Sequence, residues 1–80
     1  MPQYHVFTCD GEFGARDYVD TEFGESPEEA VALAAADDPG HYVAFEAVGT
    51  LSDMVWYPEN GRPCLRENYS ETELHQVTVK

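Results

Sequence analysis

The stretch SPEEAVALAAADDPG, residues 26–40, decides the fold. Ser26 stands where a helix N-cap is needed, Pro27 at the first helical position and Glu29 at the third. At that spacing Ser and Glu satisfy each other's exposed backbone donors. Glu28 and Glu29 also suit the positive end of the helix dipole. Ala30, Val31, Leu33 and Ala34 follow at helical spacing, with Asp37 or Asp38 closing the second turn, and the small alanines allow close approach to a sheet. Pro39-Gly40 then stops the helix after about eleven residues.

On either side of this helix the periodicity changes from helical to two. From Gln3 to Cys9 the chain alternates Tyr4, Val6 and Thr8 against His5, Phe7 and Cys9, a strand pattern rich in β-branched and aromatic residues. Asp10-Gly11 is a turn signal. Residues 12–23 read as a second, half-buried strand antiparallel to the first, with Asp17, Val19, Thr21 and Phe23 opposite Tyr18, Asp20 and Glu22. After the helix, residues 41–51 return to strand character, with Val43, Phe45 and Ala47 on one face and Tyr42, Ala44, Glu46 and Val48 on the other. Residues 49–53 form a turn and 54–57 a fourth strand. Pro58-Glu59-Asn60-Gly61 is a strong hairpin turn, Cys64-Leu65-Arg66 continues the hairpin, and residues 74–79 close the chain as a last strand. The order β-β-α-β-β-β predicts a two-layer α+β fold, one helix packed on an antiparallel sheet. Phe7, Phe23, Phe45 and Trp56 are its expected aromatic core.

Eighty residues make a single domain, residues 1–80, with the marginal stability of a small core. Hydrophobic content of 42% and aromatic content of 12% are too rich for a solvated tail. No charged-then-apolar leader opens the sequence and no apolar run approaches the ~20 residues of a membrane span, so the expectation is a soluble cytoplasmic protein. Cys9 and Cys64 are expected as small buried apolar residues, with a disulfide between them as the alternative.

Sixteen Asp and Glu against four Lys and Arg give a net charge of −12. A phosphate-binding protein needs a basic stripe to displace counterions, so direct nucleic-acid binding is excluded, as is docking on an anionic membrane. The charge is also unevenly placed. Residues 60–80 are neutral, while Asp17, Asp20, Glu22, Glu25, Glu28, Glu29, Asp37 and Asp38 follow one another without an intervening base. Asp20 and Glu22 project from one strand face roughly 6.6 Å apart, at ~3.3 Å per residue. Self-repulsion of this kind destabilises a small domain, and a use for it must be sought. A rigid carboxylate face can occupy a groove built for nucleic-acid phosphates, with electrostatically steered association. Tyr18, set beside Asp20 and Glu22, would add contact area with a polar tip. The expected partner-binding surface is therefore Asp17, Tyr18, Asp20, Glu22, Glu25, Glu28 and Glu29, with Asp37 and Asp38 at its far edge.

A short, acidic chain with a strand pair, one Ala-rich helix capped by Ser26-Pro27-Glu28-Glu29 and a return of strands resembles the small acidic anti-CRISPR proteins of phages and mobile elements. The resemblance spans the chain in size, charge and element order. It implies a helix-on-sheet fold and a non-enzymatic inhibitor that blocks target DNA binding by a type I CRISPR surveillance complex in the host cytoplasm. The last strand, residues 74–79, could pair with a second copy, although His75 and Lys80 discourage it, so a monomer or homodimer is expected. The alternative is a small interaction domain of a salt-adapted organism, whose charge serves solubility. One Lys, no Ile and eight each of Ala and Val resemble the composition of such proteins.

Catalysis has little to stand on in the sequence. His5, His41 and His75 are scattered, no helix N-terminus activates Cys9 or Cys64, and Gly11 and Gly14 lack the third glycine and following helix of a phosphate loop. Asp38 and His41 match no zinc spacing. The expectation is no enzyme, no metal and no cofactor.

Overall fold

In the computed structural model of the protein, which describes residues 1–9, 15–56, 63–66 and 72–80, a four-stranded antiparallel sheet carries one nine-residue helix. The elements run β1 (Gln3–Cys9), β2 (Ala15–Phe23), α1 (Pro27–Ala35), β3 (Gly40–Glu46), α2 (Leu51–Met54), β4 (Val55–Trp56), β5 (Cys64–Leu65) and β6 (His75–Val79). The main sheet has the order β2-β1-β3-β6, and β4 and β5 make a separate two-stranded ribbon. The turn expectations at Asp10-Gly11 and residues 58–61 lie outside the described residues. No described helix is long and apolar enough to cross a membrane.

Helix α1 starts as its sequence dictates. Ser26 is extended, at φ −149° and ψ 162°, and its hydroxyl accepts the Glu29 N–H at 3.2 Å. The return bond from the Glu29 carboxylate is absent among the described residues, so only half of the expected capping box forms. The helix stops earlier than expected. Ala36 and Asp37 both turn left-handed, at φ 50° and 68°, and Asp38 N–H closes on the Ala35 carbonyl at 2.9 Å. Pro39 forces its predecessor out of the helical region, so the chain must leave the helix before Asp38. Two consecutive non-glycine residues at positive φ make that exit costly, at roughly 1–2 kcal/mol each. Gly40, at φ 154°, takes the conformation open only to glycine and starts β3.

The central strands β1 and β3 are buried on both faces. Tyr4 and Val6 from β1 and Tyr42 and Ala44 from β3 pack against Ala30, Val31 and Ala35 of α1. Phe7, Val43 and Phe45 point the other way and are covered by Met54 and Val55, flanked by Leu51, Leu65 and Leu74. The expected two-layer arrangement therefore gains a cover on its second face, made by α2 and the ribbon. The reason lies in the composition of that face. Two phenylalanines and a valine left open to water on an 80-residue chain would forgo about 1.5–3 kcal/mol each.

The expected turn at 49–53 is a single helical turn. Thr50 donates to Asp53 Oδ2 from its N–H at 3.3 Å and from its hydroxyl at 2.6 Å, holding the Asp53 carboxyl below its ordinary range. Met54, expected in a strand, closes this turn fully buried. Val55 and Trp56 then pair with Leu65 and Cys64, as the hairpin reading requires. Phe23 and Trp56, expected in the core, are 56% and 47% exposed, and Leu33 of α1 is 54% exposed. Phe23 ends an edge strand, Leu33 lies on the solvent side of α1, and Trp56 is on the outer side of the ribbon. Cys64 is also exposed rather than buried. Both cysteines remain thiols, and half-buried Cys9 accepts a hydrogen bond from Gln76 Nε2 at 3.6 Å.

Candidate functional site

The carboxylates that the sequence groups together are set out by β2, an edge strand. Tyr4 faces Glu22, His5 faces Thr21 and Val6 faces Asp20 across the β1–β2 ladder. Opposed residues share a face, so Asp20 and Glu22 lie on the side of the sheet that carries α1. The Asp20 carboxyl hydrogen-bonds to Glu22 and its charge repels a second one, which together with partial burial raises the Glu22 carboxyl above its usual 4.5.

Tyr18 is not part of this group. The register shifts between Val6 and Phe7, so that Phe7 faces Tyr18 and Val19 is the extra residue of a bulge. The bulge turns Tyr18 to the opposite face, where its ring meets Phe7 edge-on at 5.5 Å. Its hydroxyl lies 2.6 Å from Thr21 Oγ1, which is in turn 2.7 Å from His5 Nδ1. The expected Tyr-centred acidic patch is thereby corrected to an acidic patch without its tyrosine. Thr21, which sequence reasoning passed over, joins Tyr18 and His5. No residue pattern announces the bulge that brings them together.

The acidic line continues from Glu22 through the β2–α1 connection. Gly24 N–H donates to the Pro2 carbonyl at 3.0 Å, extending the ladder past the end of β2. Glu25 follows, exposed, and Glu28 and Glu29 are exposed in the first turn of α1. Asp20, Glu22, Glu25, Glu28 and Glu29 thus sit on a strand end, a short connection and a capped helical turn, all with fixed backbone. Asp17 is about 10 Å farther back along β2, at ~3.3 Å per residue, where its N–H donates to Thr8 Oγ1 at 3.0 Å. Asp37 and Asp38 lie beyond the other end of α1, which spans roughly 13 Å at 1.5 Å per residue. The nine expected contact residues therefore divide into five acids that follow one another from the end of β2 into the first turn of α1, three outlying acids and a tyrosine on the far face.

His41 Nδ1 is 3.0 Å from Thr78 Oγ1, and His75 lies 3.8 Å from the Glu73 carboxylate. Among the described residues no three His, Cys, Asp or Glu side chains converge as metal ligands. A cavity of about 260 Å³ between the sheet and the ribbon is lined by apolar side chains such as Phe45, Val55, Leu65 and Leu74, with Cys64 as its polarisable group.

His5 gives the fold a pH dependence. It is 3% exposed, its ring meets Phe45 at 5.6 Å, and Nε2 is buried without a hydrogen-bond partner among the described residues. Burial pushes the imidazole below 6.5, partly offset by the Gly49 backbone. The folded state then binds the proton less readily than the unfolded chain. Stability is full above pH 6.5 and falls as the pH drops from there through the lowered folded value. Glu22 has the opposite sign: its raised value favours the fold at low pH, a gain lost as pH rises through that value. Urea midpoints should therefore decline on acidification just below neutrality, and His5→Gln should remove that decline. A His5→Gln protein with the same slope would contradict the assignment.

No protein-family model, curated protein or solved structure matches this chain.

Proposed function

We propose that the protein is a non-enzymatic acidic inhibitor whose β2–α1 corner enters the basic nucleic-acid groove of a partner and excludes the nucleic acid by charge mimicry. The observation that carries this reading is the fixed-backbone cluster of Asp20, Glu22, Glu25, Glu28 and Glu29, on a stretch with no Lys or Arg between Asp17 and Asp38. Carboxylates held by strand and helix lose little conformational freedom on binding, and a groove that neutralises phosphates offers them Lys and Arg in series. The partner class is a DNA- or RNA-binding complex. The resemblance to small acidic anti-CRISPR proteins makes it a type I CRISPR surveillance complex, acting in the host cytoplasm. The site is the five-residue cluster, with Asp17 at one margin and Asp37 and Asp38 at the other.

Reversing Asp20, Glu22 and Glu25 to Lys tests the reading. Like charges brought together across an interface cost several kcal/mol, so inhibition should weaken about 100-fold or more while the circular dichroism spectrum stays that of the folded protein. Undiminished inhibition by the triple variant would remove the cluster from the mechanism. The competing reading, a salt-adapted interaction domain, is favoured by the low Lys content. It predicts unfolding when salt is withdrawn, because unscreened repulsion then dominates. A melting temperature independent of salt would count against it.

A further inference from the structure

We propose that His5 is a proton-operated latch: when its imidazole takes up a proton, residues 48–56 lift off the second face of the sheet, while the sheet itself and α1 stay in place. His5 is buried on that face, between Thr21 of β2 and Phe45 of β3. Its two nitrogens have different surroundings. Nδ1 is 2.7 Å from Thr21 Oγ1, which is 2.6 Å from the hydroxyl of exposed Tyr18. A hydroxyl can donate or accept, so this side of the ring is satisfied whether or not Nδ1 carries a proton, and the line of hydroxyls leads out to solvent. Nε2 is buried with no hydrogen-bond partner among the described residues. Charging the ring puts an N–H on both nitrogens, and the one at Nε2 becomes a buried charged donor, far costlier to leave unsatisfied than a neutral one.

The groups around the ring decide which element gives way. On β2, Thr21 and Tyr18 present hydroxyls, while Asp20 and Glu22 stand opposite Val6 and Tyr4 on the other face. On β3, Phe45 meets the ring at 5.6 Å, and Glu46 stands opposite Tyr4, again on the other face. Past β3, the Gly49 backbone lies against the imidazole. Asp53 of α2 has its carboxylate engaged by the N–H and hydroxyl of Thr50. Among the described residues no carboxylate pairs with His5 to hold a charge there. Both ladders of β1 flank His5 and the Thr21 bond survives protonation, so β2 and β3 stay put. The cover has less to hold it. Val48, next to Gly49, donates its N–H to Met54 Sδ at 3.4 Å, and Met54 is the fully buried side chain over Phe7, Val43 and Phe45. Water reaches Nε2 when Gly49 moves away, and that movement draws Val48 off Met54. A four-residue helix and two-residue strands are too short to persist once their packing is lost. Acidification therefore opens one face before it unfolds the chain, and the latch is independent of the inhibitor reading.

Oxidation of Met54 by dilute hydrogen peroxide, followed by peptide mass spectrometry between about pH 8 and pH 5, tests the latch in the full chain, with amide hydrogen exchange on the same samples. Peroxide passes one oxygen to the thioether, leaving sulfoxide and water, and it needs an accessible sulfur. Exposed Met1 reports the unhindered rate. An open face lets His5 titrate normally, so the open fraction rises up to about tenfold per pH unit from 6.5 down to the lowered value of the closed form. The Met54 rate relative to Met1 should rise with it, while the amides of α1 and of the β1–β3 ladder keep their protection. His5→Gln should make the ratio independent of pH. A flat ratio in the wild type would overturn the latch. So would a response that persists in His5→Gln, or loss of protection in α1 and β1 in step with Met54, which is global unfolding. Should His5→Gln not fold, the wild type decides: the rise must level off where NMR shows the His5 imidazole charged, and one that tracks His41 or His75 instead would overturn the latch.

Discussion

Phe7→Ala is expected to leave much of the protein unfolded at room temperature. Phe7 is fully buried at the centre of β1, stacked on Phe45 with ring centres 5.7 Å apart and met edge-on by Tyr18. Truncating a buried Phe to Ala costs about 3–5 kcal/mol through lost transfer energy and the cavity left behind. A domain of this size has roughly 4–12 kcal/mol in total, and self-repulsion of the acids places this one towards the low end. The substitution also removes the side chain against which Met54 and Val55 close the second face. Urea unfolding of wild type and variant at moderate salt gives the difference directly. A loss below about 1 kcal/mol, the size of an average substitution, would mean that the ribbon side of the sheet contributes little to the fold.

The second large effect is expected at Gly24. A methyl group there would stand 2.9 Å from the Ala30 nitrogen and 3.0 Å from the Ser26 carbonyl oxygen, both backbone atoms of the α1 entry. Neither can yield by changing a rotamer, because Ala30 N–H is bonded to that same Ser26 oxygen at 3.1 Å and Gly24 N–H to Pro2. Relief requires α1 to move off β2. Overpacking of this kind costs about 1–3 kcal/mol, and more where only backbone can shift. Gly24→Ala should therefore lower the urea midpoint substantially. In whatever fraction stays folded, it should also weaken inhibition, because Glu25, Glu28 and Glu29 are displaced from Asp20 and Glu22. A variant of wild-type stability would show that the connection is looser than its hydrogen bonds imply.

The readable parts of this fold were those encoded by local chemistry. Ser26-Pro27 fixed the start of α1 because capping is a property of a few consecutive residues, and strict alternation from Tyr4 to Cys9 yielded β1 and its two faces. Val77 and Val79 marked β6 in the same way. The end of α1 is not legible locally, because Ala36 and Asp37 take left-handed conformations that their types disfavour, imposed by Pro39 and the return into β3. Cover on the second face depends on contacts between Phe7, Val43 and Phe45 and a short helical turn far along the chain, and no local period records it. At the site, the run of acids was plain, and the pairing of Asp20 with Glu22 followed from alternation. The facing of Tyr18 is hidden from alternation by a single inserted residue, Val19, since one bulge reverses the facing of everything beyond it.

The most direct measurement is a gel-shift competition: a type I CRISPR surveillance complex, its target duplex and increasing amounts of this protein at physiological salt, with the Asp20, Glu22 and Glu25 to Lys variant alongside. The account predicts that the shifted band disappears at near-stoichiometric protein and persists with the variant. A band that persists at large excess of the wild type would contradict it for this target.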